Sequence, residues 1–202
     1  MQLARRPYQS ARRLATLGIA LLLLLGGSYI LLTALSPLLS SPFINPTDNA
    51  TTRLLATSAT KPPAEQFTEP RLYIPKIDIN LPYASGGPEV MERGAWWRQP
   101  HNGNPKDGGN FVLSAHRFIM GLTPQQTWRK SPFYNIHLLT VGDEIIIDYQ
   151  GRRYTYVIRR LFDVAPDAVH IEQRTKQPQL TLYSCTLGGA ADGRNVIIAT
   201  LK

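Results

Sequence analysis

Apolar positions divide the chain into three unlike stretches. From Leu14 to Leu35, 22 residues pass without a charge, including the unbroken run Leu21–Leu25. A hydrocarbon core of about 30 Å needs about 20 helical residues, so this stretch predicts one transmembrane helix. Ser36 to Pro70 has little apolar periodicity but six prolines and ten serines or threonines. Such a composition has no face to bury and predicts a flexible or partly extended linker, spanning roughly 30–35 Å as a random coil and holding a domain just off the membrane. From Arg71 onward Ile77, Ile79 and Leu81 alternate with Asp78 and Asn80, the period of two expected of a half-buried strand.

More β-prone runs follow at 110–115, 144–149, 153–162, 180–185 and 195–201. Gln150-Gly151 separates two of them and predicts a hairpin. Helical candidates are few: one short helix is expected around Ser131–Leu138. Pro and Gly recur every ten or so residues and no internal repeat is visible. These features predict a mainly β domain, a barrel or a sandwich. The expected organisation is a basic tail (1–13), a transmembrane anchor (14–35), a linker (36–70) and a folded domain (71–202).

Charge orients the anchor. Arg5, Arg6, Arg12 and Arg13 precede the apolar run and no further arginine occurs until Arg53. The positive-inside bias leaves the N-terminus cytoplasmic and the folded domain outside, a single-pass type II arrangement at the cell membrane. The apolar run is longer than the roughly 7–15 residues of a cleaved signal peptide, which favours an uncleaved anchor. The net charge of +8 resembles a nucleic-acid footprint until it is divided, because half of it lies in residues 1–60. The later pairs Arg152-Arg153 and Arg159-Arg160 are expected as solvated charges on a sheet, so no nucleic-acid partner is expected. Asn49-Ala50-Thr51 matches a glycosylation acceptor, a pattern common by chance.

Export makes the cysteine count informative. Cys185 is the single cysteine; it is either a buried, inert residue or one kept for its chemistry. It ends the β-prone run Leu180–Ser184 and is followed by Thr186-Leu187-Gly188-Gly189, the rim position that a nucleophile needs. A nucleophilic thiol also needs a base or ion-pair partner. Of His101, His116, His137 and His170, only His116 directly ends an apolar strand, Phe111–Ala115. Arg194 follows Cys185 by nine residues, and if Gly188–Gly193 loops back it returns beside the cysteine, where a guanidinium could stabilise an oxyanion. No phosphate loop, dinucleotide glycine pattern or Cys/His metal cluster is present.

Taken together, several segments resemble the sortase family. These are Leu72-Tyr73-Ile74-Pro75-Lys76-Ile77, Gly94-Ala95-Trp96-Trp97, the stretch Gly109 to Arg117, Gly142-Asp143-Glu144-Ile145, Leu180 to Cys185, and Arg194-Asn195-Val196-Ile197. The similarity covers roughly residues 71–202. It implies an eight-stranded β-barrel with short helices, a Cys185 nucleophile, a His116 general acid/base and an Arg194 oxyanion or substrate-orienting group. Ser114 and Ser184, just before the histidine and the cysteine, are the implied substrate-contacting hydroxyls.

The implied reaction cleaves a C-terminal Leu-Pro-x-Thr-Gly-like sorting signal between Thr and Gly. The thioacyl-enzyme then passes the chain to an amine of a cell-wall precursor or a pilin lysine, with no cofactor and with calcium modulation left open. Ser184 stands where threonine is usual and Thr-Leu-Gly-Gly follows the cysteine, so the subclass stays open. The tether has no Asp-Pro-aromatic lid and no second apolar segment follows the domain, which points to a class E-like or A-like housekeeping or single-substrate type. Two other readings are an exported peptidoglycan transpeptidase of another cysteine family and a non-catalytic anchored β-module with Cys185 buried away from His116.

Overall fold

The computed structural model describes residues 6–59 and 69–202. Helix α1 (Arg6–Ser40) carries the apolar run. Its leucines from Leu14 to Leu32 are exposed rather than packed in protein, so the helix is apolar all round. It is long and apolar enough to cross a membrane.

The segment expected as flexible contains a second helix, α2 (Ala50–Ser58). The physical reason is a cap: Asn49 accepts from Thr52 N at 2.9 Å, satisfying a donor that the first turn leaves open. Asn49 also donates to Pro75 O at 2.6 Å, and Asp78 accepts from Thr51 N at 2.8 Å. The glycosylation-like asparagine is therefore buried and occupied. Residues 60–68 of the predicted linker and 1–5 of the tail lie outside the described residues.

Nine strands follow: β1 (Arg71–Ile74), β2 (Ile79–Ala84), β3 (Ala95–Arg98), β4 (Gly103–Asn104), β5 (Gly108–Ser114), β6 (Glu144–Tyr149), β7 (Arg152–Val164), β8 (Gln179–Thr186) and β9 (Gly189–Leu201). Their order is β3-β2-β1-β6-β7-β9-β8-β5, and β3 pairs with β5. That last pairing closes an eight-stranded barrel, with the two-residue β4 as a flap on β5. The alternating run at 77–81 is interrupted, because Pro75 opens a short 3-10 turn and Asp78 takes a left-handed conformation (φ 53°) before β2 begins. Gln150 and Gly151 both have positive φ (48° and 74°), the twist that a two-residue hairpin between β6 and β7 requires.

Strand alternation sorts the side chains. Leu72, Ile74, Phe111, Leu113, Ile145, Ile147, Ile158, Leu180, Leu182 and Ile197 fill the barrel interior. Outside it, Val112, Tyr183 and Val196 form a smaller cluster with Ile171 of the β7–β8 connection. Arg153 departs from the expected solvated charge: its guanidinium forks onto the buried Asp148 at 2.7 and 2.8 Å, the bidentate geometry in which an ion pair tolerates burial.

The expected short helix at 131–138 is a 3-10 turn, Tyr134–Leu138. A further helix, α3 (Pro124–Lys130), precedes it, capped by Thr123 with Pro124 in the first turn, a favoured start.

Candidate active site

Two strand parities build the site. In β5, Phe111, Leu113 and Ala115 point into the barrel, so Val112, Ser114 and His116 take the outer face. In β8, Leu180 and Leu182 point inward, which turns Tyr183 and Cys185 outward. The strands run parallel with Ser114 opposite Tyr183. Two residues on, the strands bring His116 and Cys185 to the same rim and the same face. β9 then returns antiparallel with Arg194 directly opposite Cys185.

One cavity of about 420 Å³ is lined by Ser114, His116, Tyr183, Cys185, Thr186 and Arg194, among others. Cys185 is half-buried, unlike a core cysteine.

Of the predicted residues, Ser184 alone is displaced. It is 1% exposed and its alternation points it inward, where its hydroxyl donates to Cys185 O at 3.1 Å. It does not line the cavity, so the expected substrate contact by this hydroxyl is corrected to a contact with the backbone of the cysteine. Ser114 does face the cavity.

The turn after Cys185 is tight. Thr186 pairs with Gly189, and the register shifts between Cys185 and Thr186. Residues 190–193 therefore bulge over the rim, held by a hydrogen bond between Thr186 Oγ1 and Asp192. Arg194 donates from Nη1 to Ala190 O at 2.8 Å and to Gly193 O at 2.9 Å. Those bonds fix the guanidinium at the rim, and its Nε and Nη2 have no protein acceptor among the described residues.

His116 Nε2 lies 3.5 Å from Glu92 Oε1, and Lys130 Nζ is 3.1 Å from the other oxygen. Lys130 holds the Glu92 carboxyl below the usual carboxylate range, with a smaller contribution from His116. Arg117, next in the chain to His116, is buried and donates to Asn195 at 3.1 Å. Burial lowers its guanidinium pKa from the ordinary value.

The connection from Val164 to Gln179 contributes no residue to the cavity lining but buttresses it. Its buried Glu172 meets Arg98 Nε at 2.9 Å and Nη2 at 3.0 Å, and accepts from Tyr183 Oη at 2.5 Å. Arg98 stacks 4.1 Å over Trp96. Both Arg98 and Tyr183 line the cavity. Burial, then Glu172, raises the Tyr183 pKa.

Sequence reasoning did not reach Glu92, Arg117 or Glu172. The parity of β5, β8 and β9 was the available signal, since it places positions 116, 185 and 194 on one face and 184 on the other.

Comparison with known proteins gives one consistent result. The Sortase domain family model matches residues 72–202. Sortase SrtE1 of Streptomyces coelicolor is 28% identical over 131 residues, covering 57% of this chain and 35% of that protein. The chain thus spans about a third of the length of that curated relative.

Two solved structures share the fold. Sortase E1 of Streptomyces coelicolor, solved with a tripeptide in its active site, has a TM-score of 0.54 at 20% identity, covering 66% of this chain and 87% of that one. Clostridium perfringens sortase C, solved with the C-terminal cell wall sorting motif, has a TM-score of 0.53 at 23% identity, covering 65% and 69%.

Proposed function

This chain belongs to the sortase family, whose domain it carries over residues 72–202, and from that premise we propose that it is a membrane-anchored cysteine transpeptidase. The proposed substrate is a surface protein with a C-terminal Leu-Pro-x-Thr-Gly-like sorting signal. The observation that carries the reading is the joint placement of His116, Cys185 and Arg194 on one rim by a parallel and an antiparallel strand pairing.

The Cys185 thiolate attacks the threonine carbonyl, and its electron pair forms the C–S bond while the carbonyl π pair moves to oxygen. In this reading Arg194, held by two loop carbonyls, stabilises that oxyanion, where a preorganised cation is most effective. On collapse the Thr–Gly C–N bond breaks, and imidazolium His116 gives its proton to the leaving glycine amine. An incoming amine then loses a proton to His116, attacks the thioester and releases Cys185. The chemistry needs side chains alone; no cofactor enters it.

α1 supplies the anchor in this reading, with the arginines before Leu14 on the cytoplasmic side and the barrel outside. A housekeeping or single-substrate role is proposed, with a cell-wall precursor or a pilin lysine as the amine.

Quenched fluorescent peptides bearing Leu-Pro-x-Thr-Gly or Leu-Ala-x-Thr-Gly test the reading. Cleavage at Thr–Gly, capture of an added amine and loss of both in Cys185→Ala are expected. No turnover together with a Cys185 inert to alkylation would point to a non-catalytic module.

A further inference from the structure

The last third of α1 is attached to the barrel rather than separated from it. Tyr29 Oη donates to Leu122 O at 2.8 Å, and Ser36 Oγ donates to Pro124 O at 3.0 Å. Thr33 and Pro37, on the same helix face, are buried. The depth of these contacts follows from helix geometry. Arg13 to Tyr29 is roughly 24 Å at about 1.5 Å per residue. If Arg13 marks the inner edge of a hydrocarbon core of about 30 Å, Tyr29 is still inside the outer edge. The Leu122 carbonyl that it reaches is then at the outer boundary of the acyl region.

The loop at that depth is apolar and uncovered. Leu122 is 82% exposed, Met120 48%, Trp128 45% and Phe118 38%. Arg129 and Lys130 of α3 line the same shallow depression as Met120 and Leu122, together with Glu92, which pairs with Lys130 at 3.1 Å. An apolar tip with an aromatic residue and a basic collar is the composition of an interfacial segment.

We propose that the loop Phe118–Leu122, with Trp128, inserts into the outer leaflet of the bilayer that α1 spans, seating the barrel on lipid instead of suspending it from a tether. This rests on the anchor reading above. Phe118 and Ile119 also line the cavity that holds Cys185 and His116. Insertion therefore brings the mouth of the active site to the headgroup layer, and the loop that follows His116 is ordered by lipid.

The test uses the full chain, carrying Cys185→Ala, in bilayer nanodiscs. An environment-sensitive fluorophore is attached at Leu122→Cys, at Leu24→Cys within α1, or at Gln150→Cys. Gln150 lies in the β6–β7 turn, at the end of the barrel opposite the Cys185 rim. The label at 122 is expected to shift to the blue and to be quenched roughly twofold or more by a lipid spin label high in the acyl chain, the depth of about 5–10 Å typical of interfacial side chains. The label at 150 is expected to behave as in water.

Quenching at 24 with none at 122 would overturn the insertion and leave the anchor standing. No quenching at either position would remove the anchor reading and this one with it.

Discussion

Arg117 Nη1 donates to Asn195 Oδ1 at 3.1 Å, tying the chain neighbour of His116 to the chain neighbour of Arg194. The same guanidinium meets His137 Nδ1 at 3.1 Å. A buried cation thus locks together the two strand ends that carry His116 and Arg194. Removing it leaves Asn195 without its donor. Arg117→Ala is expected to destabilise the domain by about 2–3 kcal/mol, the range for losing charged hydrogen bonds in a buried setting. Urea unfolding measures this, and a midpoint unchanged from wild type would dismiss the lock. Turnover should fall with it, while Arg117→Lys should recover part of both.

Glu172 is the hub behind the cavity. Glu172→Ala leaves Arg98 without its buried partner and is expected to cost about 3–5 kcal/mol. Tyr183→Phe removes a single hydrogen bond to the same carboxylate and should cost about 1 kcal/mol. Thermal unfolding of the two variants gives the ranking, and an equal effect would contradict the hub.

Glu92 sits 3.5 Å from His116, but on an exposed edge. Exposed pairs of this kind contribute only about 0.2–1 kcal/mol. Glu92→Gln is therefore expected to change turnover by less than about threefold near neutral pH. A tenfold loss in steady-state kinetics would place Glu92 in the proton-transfer machinery. Separately, Lys130→Gln should raise the Glu92 pKa towards an ordinary glutamate, which a carboxyl NMR titration reads directly.

Burial raises the pKa values of Tyr83, Tyr156 and Tyr183. In the unfolded chain these phenols ionise near their usual value of about 10. Above that pH the unfolded state binds fewer protons than the folded state, so stability falls as pH rises. Their contribution is complete below about pH 10 and is lost through the alkaline range. In an absorbance titration of the phenolates, these three are expected to ionise only as the domain unfolds. Full ionisation of all nine tyrosines with near-native circular dichroism would contradict their burial.

Much of the barrel was legible because β6, β7, β8 and β9 carry β-branched and aromatic runs bounded by turn residues, as Gln150-Gly151 shows. The start of β2 was less legible: Ile77 keeps the alternation, yet Pro75 has already broken the strand. α2 and α3 were hidden in stretches rich in Ser, Thr and Pro. Their signals were local caps, Asn49 and Thr123, rather than an apolar period. At the site, Cys185, His116 and Arg194 lie at strand ends, but it is the sortase resemblance that singles them out together. Ser184, a substrate contact only by resemblance, faces inward, because a strand sends neighbours to opposite faces. Glu92 and Glu172 act through partners 24 and 74 positions away, Glu92 with His116 and Glu172 with Arg98, which no local pattern reveals.

The proposed thioacyl intermediate is tested most directly by intact-protein mass spectrometry after mixing the protein with a sorting-signal peptide and no added amine. The expected adduct has the mass of the acyl fragment that ends in threonine, the glycine part having left, and it lies on Cys185 and is absent in Cys185→Ala. Arg194→Ala should slow its formation by about 10²–10³-fold, the effect of removing one oxyanion donor. An adduct on any other residue, or one formed at wild-type rate without Arg194 and His116, would contradict the account.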